Sequence, residues 1–296
     1  MRSVLVLLCA GLLAGCAGEW PALTGSARET GDRALVANVP FFPQEGFQCG
    51  PAGMAMVLGW SGLDIKPQAL DARMKGASDP RRVLAEYANH YGRLAYPITG
   101  TQAMVTELAA GHPVLVVQNL GVESRPLWNC VVAIGFDRAA NEVLAHAGDH
   151  ANKRMSLRLF ERLWADSEQW GLVVLKPGEL PAAARQEDYV KAAYALQRAG
   201  RYWEAVLAYD AALATWASDP TALMGLGASL YLLGDPLGAA EAYRAAALAA
   251  PDPTPAHAAL EQIATELGRA QMAIPRPQPR PASGRRGLTP SAAAMD

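Results

Sequence analysis

The sequence predicts an α+β domain followed by an all-α domain, and three observations support this division. Helix-like spacing of apolar residues prevails in the first part of the chain, and strand-like runs follow late and close together, between residues 113 and 176. This order favours an antiparallel sheet that packs against the earlier helices. Beyond about residue 184 the chain is rich in alanine, helical in pattern and internally repetitive.

Composition limits the classes of function. The 296 residues are 51% hydrophobic and 18% charged, which is enough for about two domains with cores of their own. The formal net charge of −2 gives no reason to expect a nucleic-acid partner. The sequence shows no metal-ligand cluster, Gly-rich phosphate loop or nucleotide fingerprint. We therefore predict neither a metal nor a cofactor.

The N-terminal segment MRSVLVLLCAGLLAGC has the pattern of a secretion signal. Arg2 precedes an apolar stretch that is too short to span a bilayer as a mature helix. The last four residues, LAGC, resemble the bacterial lipobox, whose cysteine is lipidated. Residues 1–15 are therefore predicted to be a signal peptide and Cys16 a lipidated N-terminus. An ordinary signal peptide that contains a chance cysteine is the alternative.

This N-terminus fixes the expected location and the cysteine count. We expect a lipid-anchored protein of the cell envelope, on the outer membrane or the periplasmic face in a Gram-negative cell, with residues 16–38 as a loose tether. Of the 4 cysteines, Cys9 would leave with the signal peptide and Cys16 would carry lipid. Only Cys49 and Cys130 would remain as thiols, in a compartment that permits disulfides.

Apolar spacing predicts the individual elements of the first domain, residues 39–180. Helices are expected at 50–60, 66–74, 80–91, 101–110 and 156–166. Strands are expected in the segments PVLVVQ (113–118), CVVAIGF (130–136), EVLAHA (142–147) and GLVVLK (171–176). The segment KPGELP, with its proline and glycine punctuation, then marks the boundary between the domains.

Residues 184–272 repeat with a period of 34. The positions that recur are Gly200, Ala205, Tyr209 and Ala212, which return as Gly234, Ala239, Tyr243 and Ala246. A helix–turn–helix unit of this length resembles the tetratricopeptide repeat, which implies two repeats and a capping helix from about 255 to 270. The glycines of GLGASLYLLG follow no strand and are expected to be helix-packing positions. The Pro- and Arg-rich residues 273–296 are predicted to be a disordered tail.

The segment VPFFPQEGFQCGPAGMAMVLGW places Cys49 at the predicted N-terminus of a helix, with Pro51 in its first turn. The helix dipole and the unpaired backbone N–H groups at that point favour a thiolate. A small buried apolar role is the alternative, because free cysteines are commonly core residues.

The same segment, with GHPVLVVQNLG and WNCVVAIGFD downstream, resembles the papain-like cysteine peptidases of the bacteriocin-processing (double-glycine) type. The resemblance covers roughly residues 36–180. It implies an α+β papain-like domain in which Cys49 is the nucleophile. It also implies that Gln44 is the oxyanion-hole donor, together with backbone N–H groups at the helix start.

The resemblance also places an asparagine where the family has its catalytic base. The family's histidine begins the strand that reads WNCVVAIGFD here, and that position is Asn129. An amide cannot take and return a proton at neutral pH, so it can neither activate Cys49 nor protonate a leaving amine. Alternation along the strand directs Cys130 to the opposite face, into the core. We therefore expect no disulfide between Cys49 and Cys130.

His146 is the alternative base. It lies on the next predicted strand, near the position of the family's orienting Asp or Asn, so a swapped arrangement with Asn129 beside it stays open. The third position normally lies behind the base rather than against the sulfur, which counts against this arrangement. The remaining histidines, each expected to be a surface residue, are His90, His112, His150 and His257.

Three functions are consistent with these features. The leading one is a lipid-anchored envelope protein whose peptidase-like domain engages a peptide or protein partner with an incomplete catalytic set. The second is an active cysteine peptidase that uses Cys49 with His146. The third is a protein-binding scaffold formed by the repeats. The sequence leaves open whether the chain is an enzyme, and it predicts membrane attachment only through the lipid.

Overall fold

The computed structural model describes residue 20 and residues 31–44, 50–70, 80–122 and 124–273, with side chains up to residue 269. The predicted signal peptide, the lipobox Cys16, most of the tether and Cys49 lie outside the described residues. So do the second part of the predicted helix 66–74 and the C-terminal tail after residue 273.

The elements follow the predicted order, with helices and strands mixed first and helices alone afterwards. The strands are β1 (Arg33–Leu35), β2 (Leu94–Thr99), β3 (Val114–Asn119), β4 (Trp128–Asp137), β5 (Glu142–Ala147), β6 (His150–Ser156) and β7 (Trp170–Leu175). The helices are α1 (Pro51–Trp60), α2 (Pro80–His90), α3 (Gly100–Ala109), α4 (Leu157–Ala165), α5 (Gln186–Arg198), α6 (Tyr202–Thr215), α7 (Pro220–Leu232), α8 (Pro236–Ala249) and α9 (Thr254–Ala273). A 3₁₀ turn, Pro67–Ala69, follows α1. Within the described ranges, no helix is both long enough and apolar enough to span a bilayer.

The seven strands of the described residues form one antiparallel sheet, in the order β2-β7-β3-β4-β5-β6, with β1 paired to the end of β4. Strand β4 is the longest and lies centrally, because β3 pairs with its first half and β1 with its last three residues. The expected α+β domain with an antiparallel sheet is therefore confirmed.

Three of the strands were not expected, and each has a reason. Strand β2, LAYPIT, contains Pro97, which lacks a backbone N–H and is tolerated because β2 is an edge strand. Strand β6, HANKRMS, is polar and mostly exposed at the other edge, so its sequence lacks the apolar alternation of a half-buried strand. Strand β1 is only 3 residues long, which is too short to show an alternating apolar pattern.

Strand β1 also corrects the description of the N-terminal tether. Its residues pair with Gly135 to Asp137, and Val36 N–H donates to the carbonyl of Ile134 at 2.7 Å. Further upstream, the ring of Trp20 lies 5.6 Å from that of Phe136. The prediction of a loose tether is therefore wrong for these residues, because they pack on the end of β4.

The two faces of the sheet are covered by different helices. Along β4, Cys130, Val132 and Ile134 pack in one core with α1 and α2, and we call this side the α1 face. Val131 and Ala133 pack on the other side with α3 and α4, which we call the α3 face. Strand alternation thus divides the side chains of β4 between two hydrophobic cores.

The helices after residue 184 form two antiparallel hairpins and a final helix. The turns within the hairpins contain Gly200 and Gly234, both with positive φ (74° and 83°), which glycine adopts without strain. Helix α7 carries Gly225 and Gly227, whose missing side chains leave room for the rings of Tyr209 and Tyr243. The expected helix-packing role of these glycines is confirmed. Assignment to the tetratricopeptide class stays a prediction.

The helical region shares its core with the sheet. Residues of α5, among them Tyr189 and Leu196, belong to the same apolar cluster as Leu94 and Tyr96 of β2. Polar contacts reinforce this junction, because the Tyr96 hydroxyl accepts from the N–H of Arg185 at 3.0 Å. The boundary near residue 180 therefore separates two patterns of secondary structure that meet in one continuous interior.

Glu107 joins the two regions through a fully buried carboxylate. Its Oε2 lies 2.7 Å from Nδ1 of His112, and its Oε1 accepts from the N–H of Ala183 at 2.7 Å. A buried carboxylate is stable only when such partners replace water. Glu107 therefore ties the end of α3 to the segment that leads into the helical region.

We expect Glu107→Ala to lower the free energy of unfolding by about 3 kcal/mol, because it leaves a buried N–H and an imidazole without their partner. The matched control is Glu86→Ala, whose side chain is 63% exposed. The control should change stability by less than about 0.5 kcal/mol. Urea unfolding followed by circular dichroism measures both, and equal effects would contradict the assigned role of Glu107.

Candidate active site

The start of α1 is the region where the sequence places the nucleophile. Cys49 itself lies outside the described residues. Gly50 caps the helix with φ 141°, a conformation reserved for glycine, and Pro51 occupies its first position. The N–H of Met54 donates to the carbonyl of Gly50 at 2.8 Å. The helix start predicted from the sequence is thus in place directly after Cys49.

Gln44, the predicted oxyanion donor, lies beside the start of β4. Its backbone N–H donates to the carbonyl of Gly148 at 3.0 Å, and its side-chain Nε2 donates to the carbonyl of Cys130 at 2.5 Å. The side chain is buried, and its Oε1 has no hydrogen-bond partner among the described residues. One N–H of the amide is therefore used to hold β4, so this group is structural at least in part.

Asn129, the predicted replacement of the base, lies on the α3 face. It pairs with Gln118 across β3 and β4, and it precedes Val131 of the α3-face core by two residues. Gln118 is buried, and its Nε2 has no partner among the described residues. The structure therefore does not direct Asn129 toward α1, in contrast to the position that the family resemblance implied.

Cys130 takes the position that faces α1. It is fully buried, and its Cβ is 3.3 Å from the place that a Cβ of Gly53 would occupy. Its expected core position and its orientation opposite to Asn129 are both confirmed. The prediction that it is a free thiol is wrong, because Cys130 is disulfide-bonded. The error came from assuming that Asn129 faced the helix, whereas the neighbouring residue does.

His146 lies on the α1 face of β5, opposite Val132. Its Nδ1 accepts from the N–H of Asn152 at 3.2 Å, and its Nε2 lies 3.3 Å from the carbonyl of Val39. Because a backbone N–H only donates and a carbonyl only accepts, the ring must be neutral with its hydrogen on Nε2. Burial lowers the pKa of His146, in agreement with this neutral form. Neither ring nitrogen is left to take a proton from a thiol.

The other four histidines do not gather at this site. His90 ends α2 and His112 contacts Glu107, as described above. His150 begins β6 with its side chain 66% exposed, beside Asp149, and His257 is exposed on α9. Among the described residues, no group of three or more His, Cys, Asp or Glu side chains could hold a metal ion.

Comparison with known proteins assigns the fold that surrounds this site. Residues 36–169 match the model of the Peptidase_C39 like family. This segment is a C39-like peptidase domain. A crystal structure described as a C39-like peptidase from Bacillus anthracis is similar at 16% identity, over 49% of this chain and 98% of that chain, with a TM-score of 0.38. No curated protein matches the chain.

The C39-like domain thus brings together only part of the predicted set. Gln44 and His146 lie on the α1 face, close to the start of β4, and Asn129 lies across the sheet. Sequence reasoning missed the role of Cys130 as the residue of β4 that meets α1. The sequence contained a signal for this role, because Cys130 is the second of the two cysteines expected to remain after removal of the signal peptide and lipidation of Cys16.

The neutral state of His146 predicts a pH dependence of stability. Because burial lowers its pKa below the ordinary 6.5, the unfolded chain binds a proton at this residue at higher pH than the folded chain does. The free energy of unfolding should therefore be fully maintained above about pH 6.5 and should fall as the pH drops below it.

Urea unfolding of wild type and His146→Gln at pH 7 and pH 5 measures this contribution. The variant should lose less stability between the two pH values than wild type, because it lacks the titrating ring. His150→Gln is the matched control, since its side chain is 66% exposed, and it should follow wild type. Parallel pH profiles of wild type and His146→Gln would refute the assignment.

Proposed function

We propose that this protein is a lipid-anchored protein of the cell envelope whose C39-like domain engages peptide or protein partners without efficient cleavage. The observation that carries the proposal is the state of His146, whose two ring nitrogens are both bound to backbone groups. Among the described residues, no other histidine lies on the α1 face of the sheet.

The chemistry of peptide hydrolysis explains why this arrangement counts against turnover. A thiol nucleophile needs a base that takes its proton and returns it to the leaving amine. Asn129 cannot hold a proton at neutral pH and lies on the opposite face of the sheet. His146 would have to give up two hydrogen bonds before it could serve. In our proposal, such a domain keeps a surface that binds a peptide, but it lacks a base that takes the proton of the thiol and returns it to the leaving amine.

An active peptidase that uses Cys49 and His146 is the competing hypothesis, and it makes a different prediction. We expect wild type to cleave a peptide mixture at a rate about 10²–10⁴ below that of a complete site, close to background. His146→Ala should not reduce this rate further, and Asn129→His should not raise it, because residue 129 lies on the α3 face.

The measurement combines mass spectrometry of peptide products with a thiol-directed, peptidase-type covalent probe. Cys49→Ala provides the zero level for both readouts. Cleavage by wild type that His146→Ala abolishes, with the circular dichroism spectrum unchanged, would establish the active peptidase and remove our proposal.

A second candidate function, a scaffold formed by the helical region, is favoured by a groove along α5 and α7. The groove has a volume of about 610 Å³ and is lined by Val190, Tyr194 and Met224, with polar groups such as Gln186 and Asp219 at its sides. Tyr194 is 53% exposed. Stacked helical hairpins bind extended peptides in grooves of this type, so this surface is suited to a protein partner.

The proposed anchor depends on Cys16. A single acyl chain gives only marginal attachment, whereas the chains of a bacterial lipoprotein together give stable partition into membrane. We expect the mature chain to sediment with membranes and to move to the soluble fraction in Cys16→Ala. Cys9→Ala is the matched control and should stay with membranes. A processed, membrane-bound Cys16→Ala protein would exclude the lipobox assignment.

A further inference from the structure

We propose that a groove between α2 and α5 binds an acidic peptide segment in which two carboxylate side chains are three positions apart. The groove has a volume of about 770 Å³, and the side chains that give it its chemistry are Arg82, Tyr87, Asn89, Tyr91 and Arg198. We call it the α2–α5 groove. The inference goes beyond the proposed function, because this site is separate from the start of α1 and from the groove along α5 and α7.

Aromatic rings of α2 form one side of the groove. Tyr87 and Tyr91 are one helical turn apart, their ring centroids are 6.5 Å apart, and both rings are half-buried against the α1-face core. The ring of His90 meets that of Tyr91 edge-on, with 5.3 Å between the centroids. Aromatic surfaces of this kind pack well against the apolar parts of a peptide.

Two arginines lie near opposite ends of the groove. Arg82 is in the first turn of α2, and seven residues, or about 10 Å along the helix, separate it from Asn89. Arg198 lines the groove from the last turn of α5. Three residues later, Nε of Arg201 donates to the carbonyl of His90 at 2.8 Å, so this end of α5 lies against the end of α2.

The two arginines are available to an anion. The first turn of α2 has no acidic residue, although the positive end of the helix dipole favours one there, so helix stability does not explain Arg82. Its partner Glu86 is 3.6 Å away and both side chains are largely exposed, which makes this ion pair weak. Arg198 is exposed and has no ion pair among the described residues. Each guanidinium can therefore bind a carboxylate through two parallel N–H donors.

Asn89 adds a further donor to the groove. The residue is only 6% exposed, and its Oδ1 accepts from the N–H of Ala95 at 3.4 Å. Its Nδ2 has no partner among the described residues, although Asn89 lines the groove. An amide N–H in so buried a side chain is costly to leave unpaired, so a carbonyl or carboxylate oxygen of a ligand would stabilise it.

These donors define the spacing of the ligand. A peptide in the polyproline II conformation has three residues per turn and a rise of about 3.1 Å per residue, so side chains three positions apart lie on the same side, about 9 Å apart. Two carboxylates at this spacing match the separation of the two arginines along α2. The residues between them would pack on Tyr87 and Tyr91.

The groove along α5 and α7 has the opposite charge character. Its described lining contains the carboxylates of Glu187 and Asp219, and the ammonium group of Lys191 is already bonded to Glu187 at 2.6 Å. An acidic peptide should therefore bind to the α2–α5 groove in preference to this one.

Fluorescence anisotropy of the full-length protein, purified in detergent, tests the site. The probe is the fluorescein-labelled peptide GEFAEG with an amidated C-terminus, in which the two glutamates are three positions apart. We expect saturable binding that Arg82→Ala and Arg198→Ala each weaken about tenfold, because each removes a charge-assisted contact. The lysine counterpart GKFAKG should not bind.

Two variants outside the groove are the matched controls. Arg158→Ala removes an exposed cation of α4, and Tyr194→Ala removes the exposed ring of the other groove. Both should bind the probe as wild type does. The proposal would be overturned by unchanged binding in Arg82→Ala and Arg198→Ala, by an equal loss in either control, or by the absence of saturable binding up to about 1 mM peptide.

Competition identifies the class of anion. Unlabelled GEFAEG should displace the probe at a far lower concentration than inorganic phosphate does at matched ionic strength. Equally effective displacement by phosphate would assign the groove to small anions and refute the peptide ligand.

Discussion

The contact of α1 with strands β3 and β4 at Gly53 determines the geometry of the candidate site. A Cβ at this residue would lie 2.8 Å from Leu115 Cδ1 and 3.3 Å from Cys130 Cβ, so the helix approaches the sheet as closely as its backbone allows. The contact is near the start of both α1 and β4. Any group of the sheet that is to act together with the helix start must therefore come from a strand position on the α1 face.

Alternation along β4 decides which residue meets this requirement, and a change of one position reverses the result. Cys130 faces α1 and Asn129 faces away, beside Gln118. His146 is on the correct face, but it is enclosed by the carbonyl of Val39 and the N–H of Asn152. The α1 face thus contains the disulfide-bonded Cys130 and a neutral, hydrogen-bonded His146.

The helical region depends on the sheet as well. Helix α5 packs on β2, and the buried carboxylate of Glu107 holds the connecting segment at Ala183. A partner in the groove beside Tyr194 would therefore contact the same helix that completes the interior of the C39-like domain. The groove and the packing on β2 are both built from α5.

The sequence by itself determined the fold class, the order of most elements and the small-residue contacts of the helical region. These properties follow from local patterns, since apolar spacing and glycine positions are properties of neighbouring residues. Sequence patterns did not predict β2 and β6, because the proline of β2 and the polar residues of β6 are acceptable only at the edges of a sheet. Only the tertiary structure decided the site, because the face of β4 that meets α1 depends on how the helix packs. Cys130 rather than Asn129 lies against Gly53, a contact between residues far apart in sequence that no local pattern specifies.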